Sequence, residues 1–148
     1  MNLALKQPRI AYWHLWSDHQ GTSHQTLCHL SAFELMRVGV ADPQWGNPQP
    51  RSDSKVVFTV QPVGWVGDWH ENPAPQWIVV LSGRWWIESM DGTRIEQGPG
   101  EFSFGEDQGC VASDGKQGHR SGTIGSVSAQ LMTIQLSIPP THVPCRFK

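Results

Sequence analysis

Residues 64–83 read GWVGDWHENPAPQWIVVLSG. Gly64–His70 reads as an extended run. ENPAP has to turn, because its two prolines lack backbone donors and bias the residues before them away from helix. QWIVVLSG is apolar on both faces, which fits a strand buried inside a β-sandwich. The stretch is therefore strand, turn, strand. His70 is its only residue that commonly binds a transition metal at neutral pH.

The same grammar extends in both directions. Upstream, KVVFTVQPV is a strand whose alternate residues Val56, Phe58 and Val60 share a face. Downstream, RWWIESM and TRIEQ flank Asp91-Gly92, a strong hairpin signal. GPG punctuates, EFSF runs on, and HRSGTIG and AQLMTIQLSI complete the strand set. Between them, GEDQGCVASDGKQG is a polar loop of fourteen residues, a length often tied to function. Glycine and proline total 26 and recur about every ten residues, the rhythm of a sandwich or barrel. The first 50 residues are less legible. LSAFELMRV reads as an early strand rather than a short helix, ADPQWGNPQPRSDS as a linker-like loop, and the tail PPTHVPCRFK as surface.

A length of 148 residues is enough for one domain with its own core. The net charge of −2 gives no pull toward nucleic acid or acidic membranes. No apolar run reaches the roughly 18 residues of a spanning helix, and the start, MNLALKQPRI, lacks the pattern of a secretory leader. Cys28, Cys110 and Cys145 fall at neither zinc-finger nor disulfide-framework spacing, so three free thiols in a reducing cytoplasm are expected. Five of the eight tryptophans lie between Trp65 and Trp86, marking a core, a pocket lining or an interface. His14, His19, His24 and His29 recur every five residues, a period that fits no single helix or strand face, so they predict no shared site.

The spacing Gly64, five residues, His70-x-Asn72, three residues, Gln76, six residues, Gly83 resembles the first motif of the cupin superfamily. Asn72 stands where that motif has its second histidine, and Gln76 where it has glutamate. GPGEF followed by a loop ending in His119 resembles the second motif, with a longer loop and without the usual proline before the histidine. The combination of WHxxPxxQ, Asp91-Gly92, GPG, Glu106-Asp107 and Gly118 to Arg120 is similar to a group of small single-domain cupins. The resemblance covers about residues 56–136. It implies an all-β fold, a single antiparallel jelly-roll barrel spanning residues 1–148 with its core at about 56–136, and a small-molecule pocket at one mouth. It also implies a homodimer.

By that resemblance His70, Gln76 and His119 are the metal-ligand candidates, for Fe, Mn, Ni, Zn or Cu, with no organic cofactor. Asn72, Glu106 and Asp107 are pocket candidates. Two histidines and a glutamine form a neutral donor set, which Glu106 or Asp107 would complete as a facial triad if the long loop folds inward. Simpler roles stand beside these. His70 can be a packed core residue, His119 a loop residue, Gln76 a buried inter-strand amide, Asn72 a turn former and Glu106-Asp107 a solvated pair. Trp69 would point away from His70. Trp77, Trp85 and Trp86 read as core or interface rather than substrate platform. Three functions follow: a metal-dependent oxygenase or isomerase, a metal-free acid–base isomerase or epimerase, and a binding module without turnover.

Overall fold

The computed structural model describes residues 6–148; the start of the chain, read above for a leader, lies partly outside the described residues. The first strands are β1 (Ile10–Ser17), β2 (Ser23–Leu30), β3 (Glu34–Met36), β4 (Gln44–Gly46) and β5 (Ser54–Gln61). They are followed by β6 (Gln76–Ser82), β7 (Arg84–Ser89), β8 (Arg94–Gln97), β9 (Phe102–Glu106), β10 (His119–Ile124) and β11 (Ala129–Leu136). Among the described residues no helix is long and apolar enough to cross a membrane.

A six-stranded sheet, ordered β2-β1-β9-β6-β11-β5, is joined by a three-stranded sheet, β10-β7-β8, and a small β3-β4 hairpin. The protein is all-β, as expected. The expectation of a single antiparallel jelly-roll barrel is met only in its coarse part: the strands form separate sheets rather than one closed barrel, and the main sheet is mixed because β1 runs parallel to β9. The main sheet also reaches beyond residues 56–136, because β1 and β2 form one side of it. β3 confirms the strand reading of LSAFELMRV.

β6 explains the central position of its segment. Ile78 and Val80 are buried among Trp85, Ile87, Ile95, Ala129 and Leu131, which fills the space between the two sheets. Trp77 points the other way, into a second cluster with Tyr12, Phe104 and Phe147. Successive residues of a strand face opposite sides, so apolar residues at every position are what a sheet covered on both faces requires. Each fully buried aliphatic or aromatic side chain contributes roughly 1.5–3 kcal/mol relative to exposure, so these two clusters, rather than the hairpins, hold the layers together. The β6–β7 turn passes through Gly83, whose φ of +72° brings its backbone against Ser128 and Ala129, where a side chain has no room.

At the edge, β5 pairs only with β11 among the described residues. Val56, Phe58 and Val60 share a face, as read, but it faces solvent, with Phe58 70% exposed. Gln61, of the opposite parity, is buried.

The cysteines correct one expectation, and the tail adds an anchor to another. Cys28 and Cys145 form a disulfide, leaving only Cys110 free, so the three-thiol premise for a reducing cytoplasm falls. The tail lies at the surface as read, with residues 139–146 and 148 exposed or half-buried, but it is pinned there by Phe147, which is buried in the second cluster. Cysteine spacing could not reveal the bond, whose partners are 117 residues apart and meet only in the folded sheet.

Candidate functional site

His70 and His119 come from distant parts of the chain and meet as an antiparallel bridge. Each backbone N–H donates to the other's carbonyl at 2.9 Å. Such a pair places both side chains on one face, and the ring centroids lie 4.6 Å apart. Gly118 makes the approach possible. Its φ is +80°, and an added Cβ would collide with the backbone of His70 and Glu71. Gly118→Ala is therefore expected to cost at least the 1–3 kcal/mol of a strained left-handed residue and to separate the two histidines. Thermal denaturation, with histidine NMR signals as the local readout, checks it.

Asp107 organises the rest. Its Oδ2 accepts the Nδ1–H of His119 at 2.7 Å. Its Oδ1 accepts the backbone N–H and the side-chain Nδ2 of Asn72, both at 2.8 Å. A carboxylate only accepts, which settles the orientation of each neighbour in turn. Asn72 must present Nδ2 to Asp107, so its Oδ1 faces away and accepts from Gln76 Nε2 at 2.6 Å. Gln76 therefore turns Oε1 outward, and that buried oxygen has no hydrogen-bond partner among the described residues. With Nδ1 protonated, neutral His119 carries its lone pair on Nε2. His70 Nδ1 lies 2.7 Å from the Asp68 carbonyl, which also only accepts, so its lone pair is likewise on Nε2. One carboxylate and one carbonyl thus leave three acceptor atoms unclaimed.

His70, Gln76 and His119 all line one cavity of about 200 Å³, together with Asn72 and Gln61. Ile78, Trp85 and Leu131 form its apolar side. Gln61 Oε1 is a second buried amide oxygen without a partner among the described residues. His119 and Gln76 are buried, while His70 is exposed at the mouth beside Trp65. Burial pushes the Asp107 carboxyl up, but the His119 and Asn72 contacts outweigh it and hold the group below the ordinary carboxylate range. The thiol of Cys110 is pushed up to about 12 by burial and by the charge of Asp107, so it is an inert packing group.

No protein-family model matches the chain, and no curated protein matches it by sequence.

The acidic pair divides. Asp107 joins the cavity network, with both oxygens occupied by donors, so it stands behind His119 and is not the third member of a facial triad. Glu106 is on the opposite face of the main sheet, bonded to His14, Thr141 and Arg146, and is corrected as a pocket residue. Among the described residues no group of three His, Cys, Asp or Glu side chains is placed to hold a metal. The acceptor set here counts an amide as its third member. Asn72, a pocket candidate with a turn role as its simpler alternative, lines the cavity and bonds Asp107 and Gln76. The four early histidines do not converge: His14 meets Glu106, His24 bridges Asp18 and Asp91, the His19 ring lies tilted 5.2 Å from that of His142, and His29 sits opposite Ala11 on β2.

The Trp69 ring packs against the cationic groups of Lys116 and Arg120 and is not part of the cavity lining. Trp85 is a core residue that also walls the cavity. Sequence reasoning missed Gln61, Thr59, Ser121 and Thr133 as cavity residues. Two signals were present: Thr59 and Gln61 are the polar alternates of Val56, Phe58 and Val60, and Ser121 is two residues after His119 on one strand.

Proposed function

We propose that the cavity binds a divalent transition metal on His70, Gln76 and His119 and uses it to hold a small organic molecule, as an oxygenase or isomerase does. The observation that carries this reading is the Asp107 network, which directs unclaimed acceptor atoms at one cavity. Metal-binding histidines commonly donate their other ring N–H to a carboxylate or a backbone carbonyl, and His119 and His70 have one partner of each kind. The donor set is neutral, so an ion held there keeps its charge and favours an anionic group on the ligand. A bound ion would act as a Lewis acid. The chain's residues do the rest: Ile78, Trp85 and Leu131 exclude water, and Gln61 Oε1 accepts a hydrogen bond from the ligand.

This reading takes the chain as a jelly-roll of cupin type, supported by the Gly64–Gly83 spacing and by the meeting of both motifs at His70 and His119. It also takes the protein as a homodimer, a reading supported by the edge position of β5 and by its exposed Val56, Phe58 and Val60. The test is metal content after loading with Fe(II), Mn, Ni, Cu or Zn under reducing conditions. One equivalent is expected in the wild type, with affinity at least tenfold lower in Gln76→Leu and lost in His119→Ala. A metal-free wild type under replete conditions would overturn the reading.

The Asp107–His119 pair also favours a second reading, a metal-free acid–base isomerase or epimerase in which His119 Nε2 takes and returns a proton. Turnover that survives chelation and is lost in His119→Ala would select it.

A further inference from the structure

The last residues of the chain cross the face of the main sheet opposite the histidine cavity. Thr141 Oγ1 and Arg146 Nη1 donate to the two oxygens of buried Glu106, at 3.1 and 2.6 Å. The Cys145 N–H donates to His14 Nδ1 at 2.9 Å. Tyr12 Oη donates to the Phe147 carbonyl and accepts its N–H. The Phe147 ring packs on Phe104 and Trp77. A single covalent tie secures all this, the Cys28–Cys145 disulfide.

Two features make that tie more than a staple. The first is access. Cys28 is 2% exposed, whereas Cys145 is half-buried beside exposed Val143 and Pro144, so an attacking thiolate reaches Cys145 first. The second is what lies beneath. Glu106, which anchors the tail, is followed directly by Asp107, which orients His119 and Asn72 on the other face. Consecutive residues of an extended chain face opposite sides, so the end of β9 carries the tail on one face and the cavity network on the other.

We propose that residues 139–148 form a thiol-responsive strap, and that its release loosens the end of β9 that positions Asp107. The reductant is a dithiol. Its thiolate attacks Cys145 Sγ, the S–S bond breaks, and Cys28 leaves as a thiolate that takes a proton. The reductant's second thiol then attacks the mixed disulfide and frees Cys145. Two electrons pass from the dithiol, which becomes a disulfide, and the chain gains two thiols. Phe147 and Arg146 are then held only by non-covalent contacts. Disulfides persist in oxidising compartments, and in reducing ones they are typically transient and redox-sensing. The proposal rests on the Asp107–His119 contact and stands whether or not a metal is bound.

Arg146 supplies the test. Its side chain is tied to Glu106 and the next residue to Tyr12, so trypsin is excluded from the Arg146–Phe147 bond while the strap is closed. The full chain, purified without reductant, is digested before and after dithiothreitol treatment and read by intact mass. Cleavage after Arg146 is expected to accelerate at least tenfold, with cleavage after Arg94, inside the sheet, unchanged. The Cys28→Ser/Cys145→Ser chain should match the reduced wild type. The ring N–H signal of His119 is expected to shift or broaden on reduction. Three free thiols in the oxidised preparation, or equal cleavage in both forms, would overturn the strap. A released strap with an unmoved His119 signal would overturn its link to Asp107.

Discussion

On the proposed metal reading, Asp107→Asn is expected to leave the chain folded while lowering metal affinity about a hundredfold. The asparagine keeps the carboxylate's shape, and its oxygen continues to accept from the two Asn72 donors. Its Nδ2 then faces the His119 Nδ1–H, donor against donor. The conflict has an inexpensive remedy. His119 moves its proton to Nε2, and Nδ1 becomes an acceptor for the new amide. The cost to stability is the difference between charge-assisted and neutral hydrogen bonds, about 1–2 kcal/mol. The cost to binding is larger, because the lone pair that faced the cavity now carries a proton. Loss of an outer partner typically costs 10–100-fold, and a displaced tautomer belongs at the upper end. Asp107→Ala differs: it leaves the buried donors of Asn72 and His119 unpaired, at roughly 1–3 kcal/mol for each unsatisfied group. Thermal denaturation, metal content and the histidine ring N–H signals separate the two variants. An Asp107→Asn protein that binds metal as the wild type does would remove His119 from the ligand set.

What the sequence revealed follows from the range of each interaction. β6 to β11 were legible because alternation, Asp91-Gly92 and the glycine and proline punctuation are local signals. His70 and His119 were legible as a pair only through motif spacing, and their bridge bears on geometry that no local pattern specifies. The parallel β1–β9 pairing was not legible, since strand direction depends on connections across about 90 residues of chain. Glu106 and Asp107 look alike in sequence as an acidic pair. Only the direction of β9 shows that one faces the tail and the other the cavity. Asn72 shows the same limit. Beside two prolines it reads as a turn residue, yet its side chain transmits the orientation of Asp107 to Gln76.

The contrasting prediction concerns Glu106, where the same amide-for-acid exchange has no remedy. Glu106 Oε1 accepts from His14 Nε2 at 2.6 Å and from Thr141, while Oε2 accepts from Arg146 and the Thr141 backbone. Whichever way a glutamine is turned, its Nε2 meets a donor. His14 cannot change tautomer to relieve it, because its Nδ1 already accepts the Cys145 N–H. Glu106→Gln should therefore cost about 3 kcal/mol at neutral pH, the lower end of the range for breaking a buried charge pair. Acid provides a second readout. Burial pushes the Glu106 carboxyl up, but His14 and Arg146 outweigh it, so the folded chain holds the group below its ordinary value of 4.5. A depressed folded value means that the unfolded chain takes up the proton first. The stabilisation is whole above about pH 4.5 and is lost as the pH falls through the lower folded value. Denaturant unfolding at pH 7 and at pH 3 should therefore show the gap between wild type and Glu106→Gln narrowing in acid. A gap that is constant with pH, or below about 1 kcal/mol at neutrality, would mean that the buried carboxylate does not hold the tail to the sheet.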